Sequence, residues 1–88
     1  MKTDNQGAVF MRESLREFLL RNSATPGVAS LDDHASLLDL GIIDSVAMLG
    51  LLEHLQSTYG IVVEHEEMTP ENFGSLAAIL DLVQRKRG

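Results

Sequence analysis

The residues best placed to do chemistry lie in one segment, Asp39-Leu40-Gly41-Ile42-Ile43-Asp44-Ser45-Val46. Ser45 follows a glycine-containing loop and opens a run in which Met48, Leu52, Leu55 and Tyr59, joined by Leu49, recur at helical spacing up to Gly60. A serine at a helix N-terminus stands beside unpaired backbone amides and the positive end of the helix dipole. A phosphodiester formed on its hydroxyl would have its charge partly compensated there. Asp-Ser ahead of a helix is also an ordinary cap, because either side-chain oxygen can accept from the free amides, and on the dipeptide alone the cap is the commoner reading.

Other chemistry finds little support. His34, His54 and His65 have no close ligand spacing such as His-Glu-x-x-His, so they read as surface or capping histidines, and no metal site is expected. Glu64-His65-Glu66-Glu67 reads as a solvated charged face. Arg85-Lys86-Arg87 is too short for a nucleic-acid patch and instead complements a helix C-terminus. No nucleophile–base pair is visible, so catalysis is not expected. The chain has no cysteine, so any thioester sulfur must come from a cofactor.

Composition bounds the rest. Eighty-eight residues, 44% apolar and 23% charged, suit one small globular domain, 1–88, with little room for a deep catalytic cleft. A net charge of -6 disfavours nucleic acid and anionic membrane surfaces. The first seven residues are polar and read as a flexible arm without the apolar core of a signal peptide. The apolar runs are too short to span a bilayer, which makes the cytoplasm the expected location.

The elements that must position Ser45 are helical. Met11, Leu15, Phe18 and Leu19 form a stripe on a first helix from about Ala8 to Arg21, stopped by Asn22-Ser23-Ala24-Thr25-Pro26-Gly27. A long connection to Asp44 carries apolar pegs at Leu31, Leu37, Leu38, Leu40, Ile42 and Ile43, with one helical turn over Ser36–Leu40 ended by Gly41. The second helix runs from Ser45 to Tyr59, and Ile61-Val62-Val63 reads as a buried extended link. Thr69-Pro70-Glu71-Asn72-Phe73 is a short capped helix ended by Gly74. A last helix from Ser75 carries Leu76, Ile79, Leu80 and Val83. The sum is an all-α bundle of three main helices plus a short one, with a long first loop. Its shared core is expected to include Leu15, Leu52, Leu55, Ile79 and Val83.

In this order and spacing the segments from Val9 to Val83 resemble the carrier-protein family of fatty acid, polyketide and nonribosomal peptide synthesis. The resemblance rests on Asp39-Leu40-Gly41, Asp44-Ser45, Tyr59-Gly60-Ile61 and Thr69-Pro70-Glu71-Asn72-Phe73. It implies that a phosphopantetheinyl transferase attaches 4'-phosphopantetheine from coenzyme A to Ser45, and that Asp44 helps recruit that enzyme and its magnesium. It also implies that a ligase or acyltransferase loads cargo as a thioester and that a downstream synthase or transferase collects it, while the carrier itself, a monomer, catalyses nothing. Two isoleucines stand between Gly41 and Asp44 where fatty acid carriers usually have one residue, and the second helix is poor in acids. The longer spacing looks more like free-standing peptidyl, aminoacyl or D-alanyl carriers, both features speak against a fatty acid synthase role, and a role in specialised metabolism is expected. Partner contact is expected at Val46 and Ala47, with Ile43 assisting. The competing reading is a small helical interaction module with no prosthetic group, which leaves the grouping of Gly41, Asp44 and Ser45 unexplained.

Overall fold

The computed structural model describes residues 3–25, 27–28 and 30–87, and of residues 3–8 the backbone alone. Among the described residues four helices follow one another: α1 (Thr3–Arg21), α2 (Ser45–Tyr59), α3 (Pro70–Phe73) and α4 (Leu76–Arg87), with a single 3₁₀ turn at His65–Glu67. The expected all-α architecture of three long helices and a short one is present. α1 begins five residues before its expected start, so the segment read as an arm is helical from Thr3; Met1, Lys2 and Pro26 lie outside the described residues. Once a helix is nucleated each added residue contributes a hydrogen bond, so polar residues can extend it.

α4 packs against each of the other three helices. Leu76, Ile79, Leu82 and Val83 of α4 meet Leu15 and Leu19 of α1 and Leu51 and Leu55 of α2 in one buried cluster, closed by Ile61 and Phe73. The facing of α2 differs from expectation by one position: Leu51 is fully buried, Leu52 only partly, and Leu49 is exposed. Val46, Ala47, Met48, Leu49, Leu51 and Leu52 surround this helix with apolar side chains, so periodicity alone does not select a face.

The long loop is pinned by some of its pegs. Leu31, Leu37, Ile42 and Ile43 are buried, whereas Leu38 and Leu40 are exposed. The Leu37 amide donates to the Gly74 carbonyl at 2.9 Å and the Ala77 amide to the Asp33 carbonyl at 2.9 Å, tying the loop to the start of α4. Arg16 of α1 donates to the Leu31 carbonyl at 3.0 Å and pairs with Asp33 and Glu13. These carboxylates, Glu13 first, hold its guanidinium above its ordinary pKa. The expected turn ahead of Gly41 forms, with the Leu40 amide on the Ser36 carbonyl at 3.0 Å.

Three local readings need correction. Ile61–Val63 lies outside any helix or strand, as expected of a link, but only Ile61 is buried. Glu64–Glu67 is more than a solvated face: Glu64 and Glu67 form a capping box around the 3₁₀ turn, and Glu67 pairs with Lys86 at 2.7 Å. That lysine, and next the Glu64 amide, hold the Glu67 carboxyl below its usual range. Thr69 stands at the cap of α3, yet its hydroxyl makes no capping bond.

Candidate functional site

α2 starts at Ser45 because Asp44 caps it. Asp44 has extended backbone angles, its carbonyl accepts the Met48 amide at 2.8 Å, and its Oδ1 accepts the Ala47 amide at 2.8 Å. The Ser45 and Val46 amides precede the first residue that can bond back within the helix, so they remain available at the positive end of the dipole. Ser45 and Asp44 are both exposed. The structure thus brings together the two residues singled out in sequence, with a reachable hydroxyl beside free amides. A phosphate ester fits this position: the site offers donors to its oxygens and an unobstructed exit for a long substituent.

The surroundings of Ser45 are apolar and come from three segments. Leu38 in the loop (58% exposed), Val46 and Leu49 on α2 (77% and 64%) and Met68 ahead of α3 (40%) form a collar around it. An open groove of about 480 Å³ beside Ser45 is lined by Leu38, Ile43, Asp44, Met48, Leu49 and Met68. A smaller hollow of about 150 Å³ shares Leu38, Ile43, Met48 and Met68 with it and reaches Phe73. Val46 stands out as expected and Ala47 is half-buried, but Ile43, at 5% exposed, forms the groove wall and offers little surface of its own. Leu38, Leu49 and Met68 were missed in sequence. Apolar type marks a residue for the core, and nothing in the spacing shows that these three face outward.

Charge is divided along the chain. From Asn22 to Gln84 there is no lysine or arginine, and ten of the thirteen acids lie there. The described cations belong to α1 and the end of α4, away in sequence from the Ser45 segment.

The histidines behave differently from one another. His34 and His65 are exposed. His54 is not a surface or capping residue: its ring stacks on Phe18 at 4.0 Å between centroids and meets Tyr59 edge-on at 6.0 Å. Its Nε2 is buried without a partner, and burial, with the Arg21 charge adding to it, holds its pKa below the ordinary value. Among the described residues no cluster of three potential metal ligands occurs, and no helix is long and apolar enough to cross a membrane.

Comparison with known proteins bears on this geometry. The family described as "Phosphopantetheine attachment site" matches residues 13–83. The "Probable acyl carrier protein PigG" of Serratia sp. is 33% identical over 55 residues, which are 62% of this chain and 63% of that protein, so under two thirds of the relative's length is spanned. A chain from a crystal structure described as an FAD-dependent dehydrogenase superposes with a TM-score of 0.71 at 32% identity, covering 78% of this chain and 97% of that one. A chain from the structure of Bradyrhizobium japonicum glycine:[carrier protein] ligase complexed with glycylated carrier protein gives 0.64 at 22% identity, covering 82% and 97%, and shows the fold. The match extends over more than half of the chain, across the four-helix fold and the capped α2 start. The chain therefore belongs to the phosphopantetheine-binding carrier proteins, non-catalytic domains that bear a 4'-phosphopantetheine prosthetic group.

Proposed function

We propose that Ser45 bears the arm, that Asp44 recruits the transferase and its magnesium, and that the cargo is an aminoacyl or other short polar acyl group. The observation that carries this reading is the exposed Ser45 hydroxyl at the Asp44-capped entrance to α2, inside an apolar collar. In the transfer from coenzyme A, Ser45 Oγ forms a bond to phosphorus as the pyrophosphate bond breaks. The hydroxyl proton passes to a base on the transferase, and adenosine 3',5'-bisphosphate leaves. Bound there, 4'-phosphopantetheine supplies the thiol on which an acyl group is held as a thioester. The chain's own residues then serve as tether and docking face. Tethering raises the concentration of cargo at each partner's active site.

The partner classes follow from the same reading. An adenylating ligase that joins a small amino acid to the carrier is favoured by the likeness to the chain solved with glycine:[carrier protein] ligase. The chain from the dehydrogenase structure is itself carrier-sized, since 78% of 88 residues cover 97% of it. A flavin enzyme acting on the tethered cargo is accordingly a downstream class that fits. Such a step sends a hydride from the cargo to the flavin and a proton to a base on that enzyme. Docking uses Val46 and Ala47 on α2, with Ile43 walling the groove beside them. A role in specialised metabolism completes the reading.

The test is intact mass. The chain and Ser45→Ala are each incubated with coenzyme A and a phosphopantetheinyl transferase. One arm should add to the chain and none to Ser45→Ala. A gain in Ser45→Ala would move the attachment site elsewhere, and no gain in either would favour the interaction module without a prosthetic group. The holo-protein, offered ligase, ATP and a panel of amino acids, should take up a hydroxylamine-labile aminoacyl group.

A further inference from the structure

Between the end of α1 and the Ser45 loop lies a small clamp. Ser23–Thr25 leaves α1 and turns against the bend at Gly41–Ile42. The Ala24 amide donates to the Ile42 carbonyl at 3.0 Å, and Thr25 Oγ1 donates to the Gly41 carbonyl at 2.7 Å. Ser23 Oγ in turn accepts the Thr25 amide at 3.1 Å and donates to the Thr25 carbonyl at 2.8 Å, which holds the threonine's own backbone. On the far side of the bend the Gly41 and Ile42 amides donate to the Leu38 and Leu37 carbonyls at 3.1 and 2.9 Å. Every backbone polar group of Gly41 and Ile42 is thereby engaged. Gly41 has φ of 71°, and a Cβ there would collide with Thr25 Oγ1. Only Ile43 and Asp44 separate this fixed point from Ser45.

Such a fixed point has a use. Two residues between glycine and aspartate give the loop more freedom than one, and freedom in the approach costs orientation at Ser45. Burial of Ile42 and Ile43 fixes where their side chains lie, whereas the clamp fixes which way the backbone leaves the bend. We infer that Thr25 is a positioning residue for arm attachment: by holding the Gly41 carbonyl, its hydroxyl sets the bend that presents Asp44 and Ser45 together to the transferase. This rests on the assignment of the arm to Ser45.

Thr25→Val keeps the branched shape and removes the hydroxyl, while Thr25→Ser keeps the hydroxyl. Arm transfer is followed by intact mass at a temperature where circular dichroism shows all proteins fully folded. Thr25→Val should lower kcat/KM for the carrier about three- to tenfold, the factor that one net hydrogen bond commands. Amide hydrogen exchange should quicken at Gly41 and Ile42, whose amides are hydrogen-bonded across the bend, in the same variant, and Thr25→Ser should restore both. Unchanged kcat/KM in Thr25→Val, with the parent chain loaded at Ser45, overturns the inference and leaves the Ser45 assignment standing. An equal loss in Thr25→Ser overturns it too, because the effect would then lie in packing. Failure of the parent chain to load, or loading of Ser45→Ala, removes the Ser45 assignment first and this inference with it.

Discussion

Asp44 Oδ1 accepts the Ala47 amide at 2.8 Å, so the carboxylate that precedes the candidate attachment serine also holds the first turn of α2 closed. With the recruiting role proposed for it, this side chain has two separable jobs, a cap that needs an oxygen acceptor and a recruiting group that needs a charge. Asp44→Asn keeps the acceptor and loses the charge, while Asp44→Ala loses both. Asp44→Ala should cost about 0.5–2 kcal/mol in denaturant unfolding, and Asp44→Asn much less. Both should impair transfer of the arm. Full transferase activity on Asp44→Asn would confine Asp44 to capping.

The core makes its own prediction on α2. Leu51 is fully buried and Leu52 is only partly so. Leu51→Ala should lose roughly 2–5 kcal/mol by urea unfolding, the range for a buried leucine. Leu52→Ala should lose clearly less. The opposite order would return α2 to the facing expected from its Met48, Leu52, Leu55, Tyr59 stripe.

That pair also shows where sequence reasoning stops. Caps and stops are chemical signals, so Asp44, Gly60, Pro70 and Gly74 placed the ends of α2 and α3 correctly. Leu15, Leu55, Ile79 and Val83 lie on stripes with polar flanks and were identified as core. α2 lacks polar flanks over its first two turns, so its rotation is decided by α1 and α4, which no local pattern encodes. The same holds for Leu38 and Met68, whose exposure depends on how the loop and the link before α3 come to rest beside Ser45. His54 is similar: its stacking on Phe18 joins two helices through a contact 36 residues apart in the chain.

His54 gives a pH prediction with a definite sign. Burial comes first and the Arg21 charge second in lowering its pKa. Unfolded, the imidazole takes its proton near pH ~6.5. Folded, it does so only at lower pH, so between the two the unfolded chain binds more protons. Its stabilising contribution is complete above the unfolded value and is lost as pH falls through the folded one. His54→Phe preserves an aromatic stack and removes the titration. The difference in unfolding free energy between the chain and His54→Phe should change across pH 7 to 5, with the chain losing more. A constant difference would show that the imidazole titrates alike in both states.

Recognition around Ser45 should be apolar. Val46 and Leu49 protrude from α2 with no acid between Ser45 and Leu52. Salt screens charge pairs and leaves apolar burial in place. Loading by the cognate ligase should hold up in moderate salt, and Val46→Asp or Leu49→Asp should impair it without loss of fold. Steep loss with salt, together with harmless aspartates, would mean an electrostatic interface.

The last prediction concerns cargo. A long acyl chain gains about 0.8 kcal/mol for each methylene it removes from water, so a carrier adapted to such cargo needs a cavity to receive it. Here the residues at the centre of the bundle, Leu15, Leu51, Leu55, Leu76, Ile79 and Val83, are fully buried against one another. The space beside Ser45 is superficial: an open groove, and beneath Met48 and Met68 a hollow of about 150 Å³. An apolar cavity of about that volume is enough for benzene, so the hollow suits a small ring or short branched group better than an extended chain. Octanoyl and small aminoacyl thioesters loaded in parallel on the holo-protein should therefore leave the methyls of Leu15, Leu55 and Ile79 unshifted in both cases. Shifts should be confined to Met48, Met68 and Phe73, with little change in Tm. Marked stabilisation and shifts at Leu55 and Ile79 with octanoyl alone would show that the bundle opens for a long chain, and the cargo assignment would then pass to fatty acyl groups.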